Sequence, residues 1–78
     1  MFNKFLLNAK MKAAGDSHQS LAAALGMSKT NMSAIWNDRL QWQYKYIAPI
    51  AVRYNLTPGE VWEIFFAEDA AEIKKNTP

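Results

Sequence analysis

The stretch His18-Gln19-Ser20-Leu21-Ala22-Ala23-Ala24-Leu25-Gly26-Met27-Ser28-Lys29-Thr30-Asn31-Met32-Ser33-Ala34-Ile35-Trp36-Asn37 decides how this chain folds. Leu21, Ala22 and Leu25 share one side of a short helix, and the run Ala22-Ala23-Ala24 favours helix strongly. Ser17, just ahead, offers a hydroxyl to the orphan N–H groups of the first turn. Gly26 stops this helix, which the pattern bounds at about 18–25. Ser28 opens the next one in the same way. Met32, Ile35 and Trp36 recur at i, i+3 and i+4 and give a helix over about 29–37 one buried side.

Two short helices joined by a three-residue turn containing Gly have the layout of a helix-turn-helix. Working outward, Phe2, Phe5, Leu6, Ala9 and Ala13 recur at helical spacing ahead of Gly15, which predicts a first helix over about 2–14 with Met11 off its apolar stripe. Tyr46, Ile47, Ile50, Ala51 and Tyr54 predict a fourth helix over about 45–54. Pro49 is tolerated there only in a first turn, which argues for a later start. Thr57-Pro58-Gly59-Glu60 combines an N-cap, a Pro at the first helical position and the Glu of a capping box. A fifth helix follows to about residue 67, or on through Ala70 and Ala71, with a frayed tail from about residue 72. No strand pattern or repeat is present. The expected fold is all-α, a compact bundle of about five short helices in one domain spanning 1–78.

With 78 residues the chain buries only about 60–65% of the surface its unfolded form exposes. It has no Cys and a single His, which removes disulfides, thiolate metal sites and a His-built zinc site. Three Trp, four Phe and three Tyr supply bulky packing instead. No apolar run approaches the ~20 residues of a membrane span. The basic N-terminal stretch is broken by Asn8 and Lys10 before a signal core forms, so a cytoplasmic protein is expected. Charge is lopsided: residues 1–56 carry seven Lys/Arg against two acids, +5, and residues 57–78 two Lys against five acids, −3. One basic face meeting an anionic polymer would leave such a pattern.

The outward side of the helix 29–37 carries the chemistry. Lys29, Ser33 and Asn37 stack at i, i+4 and i+8, with Thr30 and Ala34 beside them and Asn31 on the shoulder. No acid stands between Asp16 and Asp38. Small side chains let such a helix approach closely in a major groove about 12 Å wide. Lys29 suits guanine acceptors, Asn31 a paired contact to adenine, and Thr30 a base edge or thymine methyl. The start of the preceding helix, with His18 and Gln19, suits backbone phosphate.

The quoted stretch resembles the phage repressor and Cro-type helix-turn-helix family. Leu21, Ala22, Leu25 and Gly26 match the first half of that pattern, and Met27, Met32, Ile35 and Asn37 the second. Ile50-Ala51, Leu56-Thr57 and Val61 look like the family's fourth and fifth helices, so the resemblance covers most of 2–67. It implies base reading by Lys29, Thr30, Asn31 and Ser33, and phosphate contacts by His18 or Gln19 and by Asn37. Two positions depart from the pattern. His18 stands where Gln is usual, and Asp38 where Gly is frequent; Arg39, Gln41 and Lys45 offer compensating phosphate contacts.

Val61, Trp62, Ile64, Phe65 and Phe66 span more than half of the fifth helix's circumference and cannot all face one core. The resemblance implies pairing through this helix as a two-fold homodimer, with Val61, Trp62, Phe65 and Phe66 at the interface, on a two-fold operator in double-stranded DNA. Trp36 reads as core, and Trp42 as core or partner contact. The expected function is a sequence-specific transcriptional regulator, a repressor of phage or mobile-element type. The competing reading is a protein-interaction module on the same scaffold, without duplex binding. An enzyme is set aside, since the acids at 60–72 lack any nucleophile–base pairing or phosphate loop. No cofactor, metal or small-molecule ligand is implied.

Overall fold

Local capping sets where the helices begin. The computed structural model describes the backbone of residues 1–75 and the side chains of residues 1–71. It contains α1 (Lys4–Ala13), α2 (His18–Leu25), α3 (Lys29–Trp36), α4 (Tyr44–Arg53), α5 (Pro58–Phe65) and α6 (Ala67–Lys75). The Ser20 N–H donates to Ser17 Oγ at 3.1 Å, and the Ser17 N–H to Ser20 Oγ at 2.9 Å, a reciprocal cap. Thr57 and Glu60 repeat the device at α5, at 3.1 and 3.0 Å. Gly26 ends α2 at φ 67°, a left-handed conformation that costs glycine little. Three residues later the Asn31 N–H donates to Ser28 Oγ at 3.1 Å and starts α3.

Leu7, Leu21, Ile50 and Ile64 are fully buried, so α1, α2, α4 and α5 each send one aliphatic side chain to the centre. Met32 and Ile35 of α3, Met27 of the turn and Phe65 of α5 enclose them. Ala22, at 5% exposed, leaves room for α3 to pack on α2.

The first helix departs from the expected face. It starts at Lys4, with Asn3 Oδ1 accepting from the Leu6 N–H at 3.0 Å, and it buries Leu7 and Met11. Phe5 is 85% exposed, and Ala9 and Ala13 also face solvent. The cause is tertiary: the Asn3 N–H donates to the Ile64 carbonyl at 2.7 Å, pinning the start of α1 to α5. In this orientation Leu7 and Met11 point inward, with Phe2 tucked beneath them in the same core.

Two further boundaries differ. α4 starts at Tyr44, earlier than expected, so Pro49 lies inside the helix and beyond its first turn. Pro49 is exposed, which keeps the lost backbone bond on the solvent side. The long fifth helix breaks at Phe66 (φ −129°), giving six helices among the described residues rather than about five. α6 then begins with Glu68 and Asp69 in its first turn, where a helix favours negative charge. The backbone stays helical to Lys75, past the start near residue 72 expected for a frayed end, and residues 76–78 lie outside the described residues.

Long-range polar contacts tie the segments together. The Asp16 carboxylate, in the α1–α2 turn, accepts from the Arg53 guanidinium at 2.7 and 2.8 Å and from the Tyr54 hydroxyl at 2.7 Å. Ser20 Oγ adds a bond at 2.8 Å. Arg53, then Tyr54 and Ser20, hold the Asp16 carboxyl well below the usual carboxylate range. Burial, with the Asp16 carboxylate beside it, pushes the Tyr54 phenol up to about 12. Lys10 pairs with Glu60, joining α1 to α5. Trp42, from the α3–α4 loop, packs edge-on between Phe2 (5.7 Å) and Phe65 (5.9 Å), as part of the core's rim.

Candidate nucleic-acid interface

α2 and α3 diverge around a groove of about 720 Å³ open to solvent. Its floor is apolar, from Ala22, Met27 and Met32, and its lips are polar. From α2 come His18 and Gln19; from α3 come Lys29 and Ser33, with Asn37 at its end. Five residues singled out in the sequence therefore line one groove. Thr30 and Asn31 lie outside it but are exposed on the same short helix. Arg39, Gln41 and Lys45 are exposed in the following loop and the first turn of α4, and do not line the groove.

The side chains on α3 differ in how far they are committed. Lys29 makes no ion pair among the described residues, and its helix holds no acid. Asn37 Nδ2 donates to the Ser33 carbonyl at 2.9 Å and lies 3.4 Å from Ser33 Oγ. Asn37 is thus held along the helix rather than extended into the groove. Ser33 Oγ accepts from it, and the serine hydroxyl hydrogen remains available to an outside acceptor. Ala34, expected on the outer face, is half-buried, and its carbonyl accepts from the Arg39 and Leu40 N–H groups.

At the mouth of α2 the Ser17 cap satisfies the Ser20 N–H, and the Leu21 N–H reaches the Ser17 carbonyl. The N–H groups of His18 and Gln19 have no partner among the described residues and point out of the helix start. His18 is more constrained than an exposed residue at a helix start usually is. Its ring lies 4.1 Å from the Trp36 indole, at 41°, and its Nε2 is 3.3 Å from Asn8 Oδ1. Trp36 is half-buried rather than enclosed, with Phe2 against it at 5.1 Å. Neither Asn8 nor Trp36 was singled out for the site by sequence. No local signal marks Asn8, since only the tertiary fold brings it within reach of His18.

Both acids of the first 56 residues are neutralised in place. Asp16 is held by Arg53, and Asp38, at φ 60° just after α3, accepts from Lys4 Nζ at 2.7 Å. The Asp38 charge is thus paired by Lys4, a partner 34 residues away in the chain. Lys12, Lys29, Arg39 and Lys45 remain outside ion pairs among the described residues.

The four aromatic and aliphatic residues expected at an interface separate. Phe65 is core, at 4% exposed, and Val61 is half-buried against the core. Trp62 is 52% exposed and Phe66 41%, with ring centroids 6.0 Å apart, so these two form the outward aromatic surface. No helix among the described residues is long and apolar enough to cross a membrane. No family model, no curated protein and no solved structure matches this chain.

Proposed function

We propose that the chain is a sequence-specific double-stranded DNA-binding regulator, a repressor of phage or mobile-element type, which reads the major groove with α3. The observation that carries this reading is the exposed, acid-free face of α3 beside the polar start of α2. Lys29, Thr30, Asn31 and Ser33 face solvent on a helix without acids, next to two unpartnered backbone N–H groups at His18 and Gln19. In this reading the α2 start, Asn37, Arg39, Gln41 and Lys45 meet phosphates and fix the register, while α3 supplies the base contacts. Trp62 and Phe66 pair two copies, so the operator is two-fold and its half-sites lie about one helical turn apart. The protein works in the cytoplasm, on DNA.

Selection of bound duplexes from a randomised pool tests this. Enrichment of one discrete, two-fold site supports the reading. A pool that stays random after repeated rounds rejects sequence-specific binding and favours a protein-interaction module, for which the exposed pair Trp62 and Phe66 is the supporting observation.

A further inference from the structure

We infer that a second copy of this chain covers the pocket beside the Trp62–Phe66 surface, with Leu40 of the α3–α4 loop as a contact residue. This rests on the homodimer in the reading above and deepens it, naming what the partner copy touches beyond α5. Among the described residues, three exposed large apolar side chains, Met1, Leu40 and Phe66, line one pocket of about 140 Å³. Phe66 also packs against Trp62, with ring centroids 6.0 Å apart. The exposed apolar surface of α5 therefore continues past Phe66, across the pocket, to the loop that follows α3. Phe5, Tyr44 and Val52 are exposed as well, but none of them lines this pocket.

The charges at the pocket favour the chain itself as the occupant. Asp38 is paired with Lys4 at 2.7 Å, and Asp69 with the N-terminal amino group. Gln41 is neutral, and Glu63, the exposed acid next to Trp62, does not line the pocket. Across a two-fold axis each group lies near its own copy, so a free charge of one sign on the rim would repel. Charges neutralised within each chain do not. The same rim offers a strongly acidic or basic partner no unpaired charge to meet. Below the rim, Phe2, Ile47 and Phe65 belong to the core, so a side chain entering from the partner copy rests on fixed packing.

The contact has a consequence for the proposed DNA site. Asp38, Leu40, Gln41 and Trp42 line the pocket, and they make up most of the segment between α3 and α4. Arg39 and Gln41 of this segment are two of the proposed phosphate contacts. A partner copy seated on Leu40 holds the segment before DNA arrives, which lowers the ordering cost of those contacts.

The test is sedimentation analysis of the full chain without DNA, on the wild type, Leu40→Glu, Leu40→Ser and Phe5→Glu. Leu40→Glu is expected to weaken dimerisation at least about tenfold, and Leu40→Ser, which adds no charge, at least about threefold. Phe5→Glu places the same charge on another exposed apolar residue and is expected to change it less than about twofold. Circular dichroism is expected to be unchanged in all three. NMR supplies a readout that needs no variant at Leu40. Trp42 lines the pocket, and its Nε1–H has no hydrogen-bond partner among the described residues, so its resonance responds to whatever covers the ring. That signal, identified by its absence from Trp42→Phe, is expected to shift as the wild type is concentrated from monomer to dimer. Wild-type dimerisation in both Leu40 variants, or an unmoved Trp42 signal while the wild type dimerises, overturns the inference and leaves pairing through Trp62 and Phe66 standing. A wild type that stays monomeric throughout overturns the inference and the pairing together.

Discussion

Asp16 and Arg53, 37 residues apart, are joined by two hydrogen bonds of 2.7 and 2.8 Å, and the Tyr54 hydroxyl completes the grip on the same carboxylate. The pair fastens the α1–α2 turn to the end of α4, and so sets the position of the α2 start. The Asp16 carboxyl is held low, so its contribution is full above the ordinary aspartate value near 4 and is lost as pH falls from there through the lower folded value. Asp16→Asn is expected to lower the melting temperature by roughly 5–10 °C at neutral pH. The gap to wild type should narrow progressively as the pH falls below about 4, since protonation removes the same charge. A gap independent of pH would contradict this role.

Pro49 sits inside α4, exposed, where its nitrogen donates no backbone bond. Pro49→Ala restores a backbone donor on a solvent-facing position and is expected to stabilise the fold by about 1–3 kcal/mol. Urea unfolding measures this directly. A loss of stability would mean that Pro49 helps Ile47 and Ile50 to seat together.

Base reading by α3 predicts separate outcomes for its residues. Lys29→Ala and Ser33→Glu should each weaken binding to a selected operator by at least about tenfold, with circular dichroism unchanged. Both side chains are exposed, so a folding defect is not expected to account for the loss. Wild-type affinity in both variants would exclude α3 as the reader.

Pairing through Trp62 and Phe66 predicts a concentration-dependent dimer in sedimentation analysis, converted to monomer by Trp62→Glu or Phe66→Glu. Phe65→Glu is different in kind. It places a charge in the core and should unfold the domain rather than merely separate copies. A wild type that remains monomeric at high concentration would contradict the pairing.

What the sequence revealed follows the range of the interactions involved. α2, α3 and the start of α5 were legible because Ser17, Gly26, Ser28 and the Thr57–Glu60 box act within three or four residues. The groove-lining set of His18, Gln19, Lys29, Ser33 and Asn37 was legible for the same reason, since helical spacing places it. The inward face of α1 was not. Phe5-Ala9 and Leu7-Met11 both keep helical spacing, and it is tertiary contacts, among them the bond from Asn3 to Ile64 and the Lys10–Glu60 pair, that accompany the second. Nor were the partners of Asp16 and Asp38, which lie far along the chain at Arg53 and Lys4. The break at Phe66 was hidden because alanines and acids continue a helical pattern straight through it.

The most direct test of DNA binding is a fluorescence-anisotropy titration of a mixed-sequence duplex at low and at physiological salt. Binding is expected at low salt and should collapse as salt rises. Six to ten phosphate contacts would cost roughly 10³–10⁵ in affinity between about 50 and 200 mM. No binding at low salt would contradict the DNA-binding reading outright and leave the aromatic surface of α5 as the place to seek a partner.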